Sequence, residues 1–178
     1  MKRILVLGVG AQGSAAAKRL DNEPNVSEII CADYDMKAVE SVVASITKGR
    51  GVFVDAHNRQ SIIDAAQGVD LILNGLPLEC TENVLEAALA VKANYQDYAG
   101  TTELYDMWFQ SDLGKVPDEN PPHFGDKYTT QWYYSVKAMY ELYGPKFEAI
   151  DRLALFGTGS APGLICVFLA AVSRCFRT

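Results

Sequence analysis

Residues 3–13 read RILVLGVGAQG, an apolar run that leads directly into three glycines spaced as GxGxxG. The segment Ile4 to Leu7 is the continuous apolar run expected of a strand that is buried on both faces. The spacing predicts a tight turn at Gly8, a backbone open to close approach at Gly10, and close packing of a helix on the strand at Gly13. The stretch therefore predicts a strand, a glycine turn and a helix.

The sequence after the glycines predicts the kind of ligand. Residues 11–16 begin the helix, and its unpaired N–H groups and positive dipole end suit an anion. A second apolar segment, Glu28 to Asp33, ends in an acid about 20 residues past the glycines, as in dinucleotide-binding strand–helix–strand units. We therefore expect the helix start to bind a pyrophosphate and the Asp33 carboxylate to accept hydrogen bonds from the adenosine ribose.

The residues around Asp33 favour NAD over NADP. A carboxylate at this position repels a 2′-phosphate. Tyr34, Asp35 and Met36 supply no arginine to bind that phosphate, and Lys37 is the nearest cation in the sequence. An alternative role for Asp33 is that of a turn residue or a helix N-cap before Met36.

Composition limits the class of protein. The chain has 178 residues, of which 49% are hydrophobic, so it is long and apolar enough for one globular domain with a sizeable core. A net charge of −6 without a basic block argues against a nucleic-acid-binding surface. No targeting peptide is recognised, and the apolar segment 164–172 is too short to cross a bilayer. We therefore expect a cytoplasmic protein without membrane contact.

The cysteines do not form a metal site. They lie apart in the sequence, without a CxxC motif or a Cys/His cluster, which favours buried thiols in a reducing compartment and no bound metal. They are Cys31, Cys80, Cys166 and Cys175.

Short apolar runs alternate with helical patterns after Gly13, which predicts an α/β fold of the Rossmann type: a doubly wound parallel sheet with helices on both faces. The predicted later strands are 51–54, 69–73, 94–98 and 152–156, and the predicted helices are 36–48, 59–66 and 79–92. Because ligands bind at the carboxyl ends of such strands, the candidate loops are 8–13, 33–35, 55–58, 74–78 and 97–101.

One region fits the alternation poorly and predicts an inserted helical segment over about 106–145. It contains a breaker-rich loop at 118–122 and ends at Gly144-Pro145, which predicts a helix stop. An aromatic stripe at helical spacing favours a core or dimer surface over a cofactor contact. Its members are Tyr128, Trp132, Val136, Met139, Tyr140 and Tyr143. We expect a dinucleotide-binding domain over 1–160 and the start of a truncated substrate domain over 161–178.

Five segments resemble the saccharopine dehydrogenase family, which includes saccharopine reductases, lysine 6-dehydrogenases and carboxynorspermidine-type dehydrogenases. The resemblance covers about 1–105 and 153–172. The segments are GVGAQG at 8–13, ADYD at 32–35, NGLP at 74–77, NYQDYAGTTE at 94–103 and GSAPGL at 159–164.

The resemblance implies the roles of individual site residues. The residues implied at the pyrophosphate are Gly8, Gly10, Ala11, Gln12 and Gly13. Asp33 is implied at the ribose, Asp55 and Ala56 at the adenine, and Asn74, Gly75, Leu76 and Pro77 at the nicotinamide ribose. Tyr34, next to Asp33, is also expected among the cofactor-binding residues. Asp97 and Tyr98 would face the substrate, the first to bind an ammonium group and the second to orient it. The alternative for this pair is a capping aspartate and a packed tyrosine.

Together these features predict the NAD-binding domain of an oxidoreductase that moves hydride to or from the CH–NH carbon of an amino acid or imine. His57 and His123 are expected at the surface rather than as general bases. An alternative is a nucleotide-binding or sensing module without catalysis, since most of the family's substrate domain has no counterpart here and the isolated chain is expected to be inactive. Methyl transfer from S-adenosylmethionine is a weaker alternative, because its usual antiparallel hairpin is not predicted. The exposed apolar surfaces predict a homodimer.

Overall fold

The computed structural model describes residues 1–101, 103–116 and 125–159. The first half of the fold contains β1 (Lys2–Leu7), α1 (Ala11–Asp21), β2 (Val26–Asp33), α2 (Met36–Val43), β3 (Gly49–Phe53) and α3 (Arg59–Ala65). The second half contains β4 (Leu71–Asn74), a 3₁₀ turn (Leu78–Cys80), α4 (Thr81–Val91), β5 (Asn94–Asp97), α5 (Tyr105–Gln110), α6 (Lys127–Lys137), a π turn (Ala138–Tyr143), α7 (Gly144–Ala149) and β6 (Ala154–Leu155).

The described strands form one six-stranded sheet in the order β3-β2-β1-β4-β5-β6. All five neighbouring pairs are parallel. The order reverses direction between β1 and β4, which creates a crevice at the carboxyl edge of the sheet where ligands bind in such folds. The predicted doubly wound α/β fold is therefore confirmed.

The core consists of two clusters, one on each face of the sheet. Ile4 and Val6 of β1 contribute to one cluster, and Leu5 and Leu7 contribute to the other. Successive strand residues point to opposite faces, so a strand covered on both sides needs an unbroken apolar run. This explains why β1 shows no polar alternation before its glycines.

Helix α2 is shorter than the sequence predicts, ending at Val43 rather than at Lys48. The Asp21 carboxylate accepts hydrogen bonds from the backbone N–H groups of Thr47, at 3.0 Å, and Lys48, at 2.8 Å. These contacts direct the chain out of the helix and into β3. A long-range hydrogen bond therefore overrides the apolar periodicity that predicted a longer helix.

The prediction of a helix stop at Gly144-Pro145 is wrong. Both residues belong to the first turn of α7, where the missing N–H of a proline costs nothing. The aromatic stripe is also wrong as a single face, because Met139 and Tyr143 are buried whereas Tyr140 is exposed. Tyr128 and Trp132 of α6 are exposed as well, and the π turn after α6 changes the residue spacing further, so a stripe drawn at α-helical spacing does not stay on one side.

Several predictions fall partly or wholly outside the described residues, among them the apolar segment 164–172, the region 161–178, His123, Cys166 and Cys175. Cys31 and Cys80 are buried and free. Within the described ranges, none of the helices is both long and apolar enough to span a bilayer.

Candidate functional site

Two adjoining cavities lie at the carboxyl edge of the sheet. The first, here the β2 cavity, measures about 500 Å³ and is lined by Leu7, Gly8, Gly10, 32–34, 54–57, 75–77, Glu79 and Cys80. The second, here the β5 cavity, measures about 360 Å³ and is lined by 10–13, 74–78, Thr81 and 97–100. The cavities share Gly10 and residues 75–77, so together they form one cleft across the β1–β4 switch point. Each site residue named from the sequence lines at least one of them.

The three glycines of the first loop have different steric surroundings. Gly8 has φ of +81°, and a Cβ on it would lie 2.8 Å from the carbonyl oxygen of Gly75. A Cβ on Gly13 would overlap the carbonyl oxygen of Gly8, whereas a Cβ on Gly10 would meet no atom within 4 Å. Gly8 and Gly13 are therefore required by the fold. Gly10 instead presents bare backbone to the part of the cleft that both cavities share.

The start of α1 is available to an anion. Its N-cap, Gly10, provides no side-chain hydrogen bond, and the first turn contains no acidic residue. The first N–H groups of an α-helix have no partner inside the helix, and they carry the positive end of its dipole. Ala11, Gln12 and Gly13 line the β5 cavity at this helix start. The loop therefore fits a pyrophosphate.

Asp33 connects the glycine loop to the end of β2. Its Oδ2 accepts a hydrogen bond from the Val9 N–H at 2.9 Å, and its Oδ1 accepts one from the Asp35 N–H at 3.1 Å. Each carboxylate oxygen has a further lone pair, so the group retains capacity for two ribose hydroxyls. The N-cap of α2 is Asp35, which accepts from Lys37 and Ala38. The N-cap alternative for Asp33 is therefore wrong, although Asp33 does stabilise the turn.

The β2 cavity has an acidic lining. Asp33, Asp55 and Glu79 contribute carboxylates, and no lysine or arginine occurs among its described lining residues. Burial raises the pKa of the Cys80 thiol, and the charges of Glu79 and Asp55 raise it further. His57 lines the cavity and is exposed, as predicted for its surface position.

The β5 cavity is supported by a chain of buried hydrogen bonds. Asn74 Oδ1 accepts from the Leu76 N–H at 3.1 Å, and its Nδ2 donates to the Tyr95 hydroxyl at 3.0 Å. Tyr95 in turn donates to Asp97 Oδ2 at 2.9 Å. The other carboxylate oxygen, Oδ1, accepts the N–H groups of Gly100, at 3.2 Å, and Gly157, at 2.6 Å. The network joins the loop after β4 to the chain beyond β6.

Asp97 is 4% exposed and forms three hydrogen bonds inside this network. Burial raises the pKa of its carboxyl, while the hydrogen bonds from Gly157, Tyr95 and Gly100 oppose that shift. The geometry is that of the capping alternative considered for this residue. Its substrate-facing role stays a prediction.

The ring of Tyr98 lies beside Gly75, where a Cβ would come within 3.4 Å of it. Its hydroxyl is sealed from solvent and has no hydrogen-bond partner in the described structure, and burial raises its pKa. Tyr95 was not found from the sequence. Its only signal in the sequence is a tyrosine, which carries a hydroxyl, on a predicted buried strand two residues before Asp97.

A comparison with family models identifies the protein's relatives. The chain matches the model described as the saccharopine dehydrogenase NADP binding domain over residues 4–141, well over half of its length. The chain belongs to this family. It is an NAD(P)-binding domain of the saccharopine dehydrogenase-like oxidoreductases, and the predicted family and nicotinamide cofactor class are confirmed.

Solved structures show a similar fold. An apo saccharopine dehydrogenase (L-Glu forming) from Saccharomyces cerevisiae matches with a TM-score of 0.66 and 11% identity, over 97% of this chain and 30% of that one. PbgP3 from Burkholderia pseudomallei matches with a TM-score of 0.57 and 17% identity, over 87% of this chain and 57% of that one. A Rossmann-fold NAD(P)-binding family protein from Shigella flexneri matches with a TM-score of 0.54 and 15% identity, over 88% of this chain and 66% of that one. The chain therefore spans only part of these proteins.

Within the described residues, no cluster of His, Cys, Asp or Glu is arranged to hold a metal.

Proposed function

We propose that the cleft binds NAD across both cavities. Adenosine occupies the β2 cavity, the pyrophosphate lies over Gly10 at the start of α1, and the nicotinamide riboside occupies the β5 cavity. The observation that carries this proposal is the bare backbone at Gly10, which lies where the cavities meet and beside unpaired helix N–H groups. Residues 74–77 border the nicotinamide ribose, and Asp55 and Ala56 border the adenine.

The acidic lining of the β2 cavity supports NAD as the preferred cofactor. The description of the matching family model names NADP, whose 2′-phosphate would lie close to Asp33. Like charges at such short separation repel in a partly desolvated site. Lys37 is exposed and is not among the residues that line the cavity, so it does not offset this repulsion. NADH is therefore expected to bind more tightly than NADPH.

The reaction class of this proposal is hydride transfer at a carbon bearing nitrogen, in an amino acid or an imine, and family membership supports it. The nicotinamide supplies the hydride chemistry, and the protein orients it and excludes water. Tyr98 borders the substrate side of the β5 cavity through its other atoms, since its hydroxyl is sealed from solvent. Asp97 acts mainly as a positioning residue, because three hydrogen bonds already occupy its carboxylate.

Calorimetric titration of the whole chain with NADH and NADPH tests the cofactor assignment. Asp33→Asn removes the charge, and NADH binding should weaken by about tenfold to a hundredfold, as expected for charge-assisted hydrogen bonds. Asp35→Asn is the matched control, since it makes the same charge change two residues away and an asparagine still caps α2. Equal or tighter binding of NADPH by the wild-type chain would contradict the assignment.

A second candidate function is nucleotide binding or sensing without catalysis. It is favoured by the packing of the two predicted substrate-side residues, since three hydrogen bonds hold the Asp97 carboxylate and the Tyr98 hydroxyl is sealed from solvent. NADH oxidation measured with a panel of imines and keto acids plus amines separates the two functions. Tight NADH binding without turnover supports the second.

A further inference from the structure

Thr81, the first residue of α4, has a buried side chain whose hydroxyl is not used by the fold. The residue is 2% exposed and lines the β5 cavity. Within the described ranges, its hydroxyl forms no hydrogen bond. The oxygen is not fully sealed from solvent, so a molecule in the cavity can reach it. The hydroxyl is therefore available to a ligand in this cavity.

The helix start around Thr81 favours a polar ligand group. Helix α4 has 11 residues, and its N-cap, Cys80, makes no side-chain hydrogen bond. The 3₁₀ turn that precedes it begins at Leu78, which also lines the β5 cavity. The start of α1 lies on the same cavity, so the N-terminal ends of two helices border one space.

We propose that the Thr81 hydroxyl forms a hydrogen bond with the nicotinamide riboside half of the bound dinucleotide. This inference rests on the proposed function, in which the β5 cavity holds that half. The riboside carries ribose hydroxyls and a carboxamide, and a threonine hydroxyl can both donate to and accept from such groups. Thr81 thereby extends the nicotinamide-side contacts beyond residues 74–77.

Two ligands that differ only in this half provide the test. NAD⁺ and ADP share adenosine and pyrophosphate, but ADP lacks the nicotinamide riboside. Thr81→Val preserves the shape of the side chain and removes its hydroxyl, whereas Thr81→Ser keeps the hydroxyl. With Thr81→Val, NAD⁺ should bind about two- to tenfold more weakly, the range for one neutral hydrogen bond, while ADP affinity is retained. Thr81→Ser should restore NAD⁺ affinity.

Each other outcome overturns the proposal. An equal loss for both ligands would mean that Thr81 acts only through the fold, and no loss would mean that its hydroxyl serves another group, such as a substrate carboxylate. If the wild-type chain binds neither ligand, the proposed function itself fails, and this inference fails with it. Binding of NAD⁺ and ADP by the wild type separates that failure from a failure of the Thr81 assignment.

Methyl NMR on the wild-type chain supplies a readout that does not depend on a folded valine variant. Serine lacks the threonine methyl group, so the signal missing from Thr81→Ser assigns the Thr81 methyl resonance. That resonance should shift on addition of NAD⁺ and stay in place with ADP. A resonance that does not distinguish the two ligands would contradict the contact.

Discussion

The two cavities of the cleft are built in different ways. In the β2 cavity, the key contact joins Val9 to Asp33, 24 residues apart, within one strand–helix–strand unit. In the β5 cavity, the carboxylate of Asp97 is held by Gly157, 60 residues away, and by Tyr95 on the same strand. A continuous local motif can specify the first arrangement. The second exists only when the ends of three different strands are brought together.

The largest effect is expected at Gly13, in the half built from local sequence. Gly13→Ala would force a methyl group against the carbonyl oxygen of Gly8 and should lower the free energy of unfolding by about 3 kcal/mol. Gly10→Ala is the matched control, since its methyl group meets no protein atom and should cost less than about 1 kcal/mol. Chemical denaturation measures both. NADH binding should weaken even in the stable Gly10 variant, and a Gly10 variant with full affinity would place the pyrophosphate elsewhere.

A somewhat smaller effect is expected at Tyr95, in the half built from distant residues. Tyr95→Phe keeps the buried ring but removes the hydrogen-bond partner of Asn74 Nδ2 and of Asp97 Oδ2, which should cost about 2 kcal/mol of unfolding free energy. Tyr34→Phe, at a residue that is 78% exposed, should change it by less than about 0.5 kcal/mol. If Tyr95→Phe and Tyr34→Phe lowered the unfolding free energy by similar amounts, the hydrogen bonds of Tyr95 to Asn74 and Asp97 would not stabilise the fold.

The pH dependence of stability gives a still smaller test of the same network. Burial raises the pKa of Asp97 in the folded chain above its value in the unfolded chain. The folded state therefore binds the carboxyl proton of Asp97 more tightly than the unfolded state does. The stability that this difference contributes is fully present below the pKa of the unfolded chain, and it is lost as pH rises through the pKa of the folded chain. The free energy of unfolding of the wild type, relative to Asp97→Asn, should fall from acidic toward neutral pH. A constant or rising difference would mean that the carboxyl is not effectively desolvated.

The smallest effect is expected at Lys37, the cation nearest to Asp33 in the sequence. Because Lys37 does not line the β2 cavity, Lys37→Ala should change NADPH affinity by less than about twofold, as for other exposed charges. Calorimetric titration measures this. A tenfold loss would show that the side chain reaches the 2′-phosphate, and the acidic lining would then not decide cofactor choice.

The sequence was sufficient where local rules act. The apolar run before Gly8 and the alternation of strand and helix patterns predicted the sheet, since burial on both faces requires that pattern. The predicted strand ends lie close to the observed ones. Helix ends were predicted less well, because the contact of Asp21 with Thr47 and the π turn after α6 depend on neighbours that periodicity does not describe.

The sequence alone therefore determined the strand–glycine–helix unit, the doubly wound fold and the position of Asp33, because backbone sterics and apolar spacing act over a few turns of chain. Only the tertiary structure showed that Tyr95 links Asn74 to Asp97, and that Thr81 lines the β5 cavity with an unused hydroxyl. These properties depend on which side chains meet when β4, β5 and α4 pack together. Such meetings are set by the fold of the whole sheet rather than by any one segment.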